Sequence, residues 1–137
     1  MTHAFTIHSD GGARGNPGHA GIGAVIQDTQ TGDRYFVKKY IGCTTNNQAE
    51  YRALLAGLEK TLELGAQEVR CYLDSELVVK QLNREYRVKD PDLSKLFIQV
   101  WNLSALFKKI SFHHVRREQN KAADKLVNEA IDEALNM

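Results

Sequence analysis

Apolar residues fall in two different periods along the 137-residue chain. Phe5–Ser9, Gly21–Ile26 and Arg34–Ile41 are short, mostly apolar runs of the kind that form strands. The Asp10–Gly18 segment between the first two runs is dense in turn residues, and Thr31-Gly32 separates the second from the third. Three strands with tight links predict an antiparallel meander. From Asn47 to Leu64 the spacing changes to helical, with Tyr51, Leu54, Leu55, Leu58 and Leu62 on one face. Thr45 or Asn46 is the expected N-cap and Gly65 the stop. Val69–Leu73 reads as a buried strand and Ser75–Leu82 as a short helix. Asp90-Pro91 starts another helix, whose apolar face runs from Leu93 through Leu96, Phe97, Val100 and Leu103 to Phe107. Ile110–Val115 is a last strand, and Ala123 to Ala134 a C-terminal amphipathic helix. Trp101 is expected in the core. Hairpins followed by strand–helix units predict an α/β fold, a mixed sheet with helices on its faces.

Length and composition narrow the class. One domain spanning residues 1–137 is expected at this size. Hydrophobic residues make up 42% and charged residues 26%, the proportions of a globular chain. No apolar run approaches the roughly 18 residues of a membrane helix. The start, MTHAFTIHSDGG, has no basic region followed by an apolar stretch, so no secretory leader is expected. Cys43 and Cys71 are too few for a disulfide framework, which predicts free thiols and a cytoplasmic location. The net charge of +1 hides an asymmetry: residues 80–121 carry ten Lys/Arg against four acids. A basic segment of this kind fits nucleic acid on one face, although a solvated surface has the same composition.

Four acids sit at predicted element ends: Asp10 after the first strand, Glu50 in the first turn of the long helix, Asp74 after a buried strand and Asp124 in the first turn of the last helix. Each alone reads equally as a turn residue, a cap or a partner of the helix dipole. Together, on one sheet edge, they would form a set of hard oxygen ligands suited to Mg²⁺ or Mn²⁺.

The motifs Ser9-Asp10-Gly11-Gly12 with Gly15-Asn16-Pro17-Gly18, Thr44-Thr45-Asn46-Asn47-Gln48-Ala49-Glu50, Asp74-Ser75 and Asn120-Lys121-Ala122-Ala123-Asp124 follow in order. In these the chain resembles type 1 ribonuclease H, in its short form without the basic protrusion. The resemblance implies a ribonuclease H-like fold of five strands, three antiparallel then two parallel, with flanking helices. It implies endonucleolytic cleavage of the RNA strand of RNA–DNA hybrids, leaving 5′-phosphate and 3′-hydroxyl ends. Two Mg²⁺ ions, with Mn²⁺ as a substitute, would be held by Asp10, Glu50, Asp74 and Asp124. Gly11, Gly12, Asn16, Asn46 and Asn47 match the family's substrate contacts, and Thr45 its DNA-strand phosphate contact.

The chain departs from the family at two places. The loop before Asn120 is short and puts Arg117, not a histidine, at the catalytic loop position, with His114 on the strand. Between Leu82 and Asp90, Arg84, Arg87 and Lys89 supply a reduced basic patch. A monomer acting on hybrid, with duplex RNA open as a second substrate, is the expectation. A non-catalytic hybrid-binding module and a related-fold nuclease remain the alternatives.

Overall fold

The computed structural model describes residues 3–136. Five strands, β1 (Ala4–Gly15), β2 (Gly18–Asp28), β3 (Arg34–Thr44), β4 (Glu68–Leu73) and β5 (Lys109–His114), form one sheet in the order β3-β2-β1-β4-β5. The β1–β2 and β2–β3 pairs are antiparallel; β1–β4 and β4–β5 are parallel. This is the predicted three-plus-two sheet. The helices are α1 (Asn46–Glu63), α2 (Glu76–Leu82), α3 (Pro91–Ser104) and α4 (Lys121–Ala134), with a single 3₁₀ turn at Arg117–Gln119.

Local chemistry sets these boundaries. The Thr45 hydroxyl caps α1 by accepting from the Gln48 N–H at 3.3 Å. Asp90 caps α3 by accepting from the Asp92 and Leu93 N–H groups at 2.8 and 3.3 Å, with Pro91 in the first turn. Phe5, Ile7, Ala24, Ile26, Val69, Cys71 and Leu73 turn one sheet face toward α1, whose Tyr51, Leu54 and Leu58 complete the core. The opposite face of β1–β3 carries α4, which buries Ala123, Val127, Ala130 and Ile131.

Three expectations need correction. The glycine-rich segment is mostly strand, its turn confined to Asn16-Pro17: β1 runs through Asp10-Gly11-Gly12 to Gly15, paired residue for residue with Gly18–Gly23. Gly11 serves close packing and Gly15, at a φ of 92°, serves the turn, and Asp10 is therefore mid-strand. Glu50 is the fifth residue of α1, one turn further in than its spacing predicted. Trp101 is 47% exposed, and Phe107 lies beyond the end of α3. The buried stripe of that helix runs through Leu93 and Val100, which rotates Trp101 out of the core.

The packing of α4 depends on two small positions. A Cβ at Gly23 would lie 2.5 Å from the Ala123 carbonyl oxygen and 2.7 Å from the Leu126 Cβ; one at Gly21 would lie 2.8 Å from the Val127 carbonyl oxygen. Helix and sheet meet at backbone distance there. Gly23→Ala should destabilise the fold by about 1–3 kcal/mol, the usual cost of overpacking. Urea unfolding checks this; an unchanged midpoint would mean that α4 floats on the sheet.

Candidate active site

The sheet brings the four acids together in successive steps. Asp10 lies in β1. Because β4 runs parallel to β1 with Ser9 opposite Leu73, the next residue, Asp74, emerges beside Asp10. Helix α1 crosses β1 at Gly11, where a Cβ would collide with the Ala49 carbonyl oxygen. The Gly11 N–H donates to Glu50 Oε1 at 2.9 Å, which fixes the third carboxylate. Oxygen atoms of Asp10, Glu50 and Asp74 come within 4.8 Å of one another. Asp124, in the first turn of α4, joins them along one open cleft of about 390 Å³, with Gly11, Gly12, Asn46, Asn47 and Arg117 also in its wall.

Electrostatics marks this cluster as strained without a counter-charge. Asp10 and Glu50 are 7% and 5% exposed. Burial, then the charges of Asp74 and Asp124 and a hydrogen bond from Asp124, push Asp10 up to about 7 against the pull of its Glu50 contact. Burial and the Asp10 contact hold Glu50 well above the usual carboxylate range, although the Gly11 N–H opposes them. Asp74 is raised mainly by burial and by Asp124, while Arg117 and Asn120 pull it down. Glu50 Oε2 is buried with no hydrogen-bond partner. Converging carboxylate oxygens, one of them unsatisfied, fit a hard divalent cation.

The remaining predicted residues divide into two groups. Asn46 accepts from the Ala13 N–H at 2.8 Å, and Asn16 Oδ1 accepts from the Asn46 N–H at 3.0 Å, so both asparagines brace the mouth of the cleft. The Thr45 hydroxyl is used as the α1 cap. Arg117 is exposed at the rim, whereas His114 ends β5 and is not among the cleft's lining residues. Arg84 and Arg87 line a different cavity, with Tyr86 and Phe97. The Arg84 guanidinium sits 3.8 Å over the Trp101 ring, and Lys89 is exposed. Sequence reasoning missed Arg14, which pairs with Asp132 at 2.7 Å and ties the β1–β2 tip to α4. It also missed Asn120 as a site residue, although its motif was visible.

A family model described as "Reverse transcriptase-like" matches residues 8–130. LC11-RNase H1, solved in complex with an RNA/DNA hybrid, superposes with a TM-score of 0.87 at 44% identity, over 96% of this chain and 99% of that one. The chain belongs to the type 1 ribonuclease H family. Ribonuclease HI of Halobacterium salinarum is 42% identical over 125 residues, covering 91% of this chain and 63% of that protein. "Bifunctional protein Rv2228c" of Mycobacterium tuberculosis is 47% identical over 132 residues, covering 93% of this chain. The chain spans about a third of the length of that mycobacterial relative, 35%. The chain carries an acid at each of the four motif positions, Asp10, Glu50, Asp74 and Asp124.

The carboxylate cluster makes a stability prediction. Asp10 titrates near 3.8 when unfolded and about 7 when folded without metal. The protonated form therefore supports the fold fully below the lower value, and that support is lost as pH rises through the higher one. In EDTA, Asp10→Asn should raise Tm above pH 7 and lose this advantage toward pH 4. Added Mg²⁺ should raise the wild-type Tm more than that of the variant. Parallel melting curves across pH would contradict the cluster's charge repulsion.

Proposed function

We propose that the chain hydrolyses the RNA strand of RNA–DNA hybrids, leaving 5′-phosphate and 3′-hydroxyl ends. The observation that carries this reading is the convergence of Asp10, Glu50 and Asp74 within 4.8 Å on a ribonuclease H chain, with Asp124 along the same cleft. These four residues would hold Mg²⁺, or Mn²⁺ in its place. When bound, such ions lower the pKa of water and neutralise charge on a phosphodiester. The chain's own groups do the rest. Gly11 and Gly12 present bare backbone in the cleft, so a sugar–phosphate chain can approach closely. Asn16 and Asn46 use their side-chain oxygens on backbone N–H groups, which leaves their amide nitrogens as donors. Donors at that position, with Asn47, fit a ribose 2′-hydroxyl, the group that separates RNA from DNA. Thr45, Arg84, Arg87 and Lys89 would meet backbone phosphates beyond the cleft. We read the chain as a monomeric unit acting in the cytoplasm; Cys43 and Cys71 are both free thiols.

Labelled hybrid, duplex RNA and duplex DNA, each incubated with Mg²⁺, Mn²⁺ or EDTA, test the reading. Hybrid should be cut in its RNA strand only with metal, and Asp10→Asn should abolish cleavage while hybrid binding survives on its phosphate and sugar contacts. Cleavage in EDTA, or equal cleavage of duplex DNA, would refute it. Equal cleavage of duplex RNA would replace hybrid specificity by the related-nuclease reading.

Arg117 carries a separate expectation. Its charge acts on Asp74 at the rim. A guanidinium does not exchange protons near neutral pH but holds phosphate oxygens bidentately. Arg117→Ala should lower kcat on the order of a hundredfold, the low end for a preorganised charge at a reacting group. Arg117→Lys should recover part, because an ammonium lacks the planar fork. His114→Ala should cost little. The reverse ranking, with both variants folded, would hand the role to the histidine.

A further inference from the structure

Asn120 occupies the N-cap position of α4 yet makes no side-chain cap bond. Asparagine is favoured at that position because its oxygen can accept from the next turn's N–H groups. Here the side-chain oxygen is buried with no partner, and the whole residue is 1% exposed. Burying an unsatisfied acceptor is unfavourable, so the side chain is oriented by something other than the cap. Its amide nitrogen supplies the reason: Nδ2 donates to the Ser9 carbonyl oxygen at 2.9 Å, next to Asp10. Its backbone carbonyl accepts from the Asp124 N–H at 3.1 Å. One residue thus bonds to β1 beside Asp10 and to the first turn of α4 that carries Asp124. Its side chain also pulls the Asp74 carboxyl down in pKa.

We propose that Asn120 is a positioning residue of the metal centre, its side-chain amide tying the start of α4 to β1 beside Asp10 while its backbone sets the first turn of the helix that presents Asp124. The inference rests on the metal-dependent reading of the cleft. The acceptor of Nδ2 is a carbonyl oxygen, so an amide is the fitting group: it donates and brings no charge. A cationic side chain in the same place would bond Ser9 equally well but compete with the cation in the cleft. Loss of a partner that orients a metal ligand typically weakens metal binding about 10- to 100-fold.

Two variants separate positioning from capping. Serine is as good an N-cap as asparagine but too short to reach the Ser9 carbonyl; alanine can do neither. Melting in EDTA establishes that each variant folds. Calorimetric titration with Mn²⁺, without nucleic acid, should then show half-saturation at least about tenfold weaker in both Asn120→Ser and Asn120→Ala. At fixed Mg²⁺, kcat on hybrid should fall in both while KM stays within about twofold, and excess metal should restore part of kcat. Wild-type Mn²⁺ affinity in Asn120→Ser would overturn the proposal and leave a helix cap. If neither variant folds, the wild-type protein decides by NMR. The Asn120 side-chain amide protons should be protected from exchange and should shift as Mg²⁺ saturates; solvent-rate exchange or unmoved resonances would overturn it. A wild-type protein that fails to cut hybrid, with Mn²⁺ affinity still lost in both variants, would sink the functional reading alone.

Discussion

The rest of the site depends on the backbone contact between β1 and α1 at Gly11. A side chain there would run into the Ala49 carbonyl, so the helix can lie on the strand only because residue 11 has none. At that distance the Gly11 N–H reaches Glu50 and holds it 5% exposed beside Asp10. Nothing in this arrangement favours the apo fold. A carboxylate is buried with one of its oxygens unsatisfied and a second carboxylate in contact, and both are pushed up in pKa by burial. Such groups cost stability until a cation arrives. The hydrophobic core under α1, with Tyr51, Leu54 and Leu58 fully buried, offsets that cost.

The same device recurs where α4 meets the sheet. Gly21 and Gly23 bring that helix to backbone distance from β2, and its first turn then delivers Asp124 to the cleft. The parallel pairing of β1 with β4 brings in Asp74 from the other side. Three separate close approaches, two through glycine and one through strand register, thus fix four carboxylates. The carboxylate cluster is a consequence of how the sheet is covered.

Much of this was legible in the chain. The switch from strand to helical period after Ile41, the Asp90-Pro91 start and the alternation at Val69–Leu73 gave the element order and the five-stranded sheet. The motifs gave the four acids. What misled was residue chemistry with two uses. Gly11 and Gly15 look alike in the chain, yet Gly15, at a φ of 92°, serves the turn and Gly11 serves close packing; in sequence the two needs are identical. Trp101 sits one turn after Phe97, and an apolar residue on a helical stripe reads as core. The structure runs the stripe through Leu93, Val100 and the half-buried Leu103, with Trp101 turned out, stacked near Phe97 and covered by Arg84. Distances among the acids depend on strand register and helix crossing, which no local pattern encodes. Asn120 stayed hidden because its value lies in where its amide points.

Charge placement around the cleft follows one rule. The groups that brace the acids from inside, the Gly11 N–H on Glu50 and the Asn120 amide on the Ser9 carbonyl beside Asp10, are neutral donors. The cation that acts on them, Arg117, stands at the exposed rim, where water screens it. An arginine buried among the carboxylates would have relieved the repulsion in the apo protein and stabilised it. It would also have removed the negative charge that draws a divalent cation into the cleft. Neutral donors orient the carboxylates and leave their charge intact, so the stability given up by the apo protein is recovered when the cation binds.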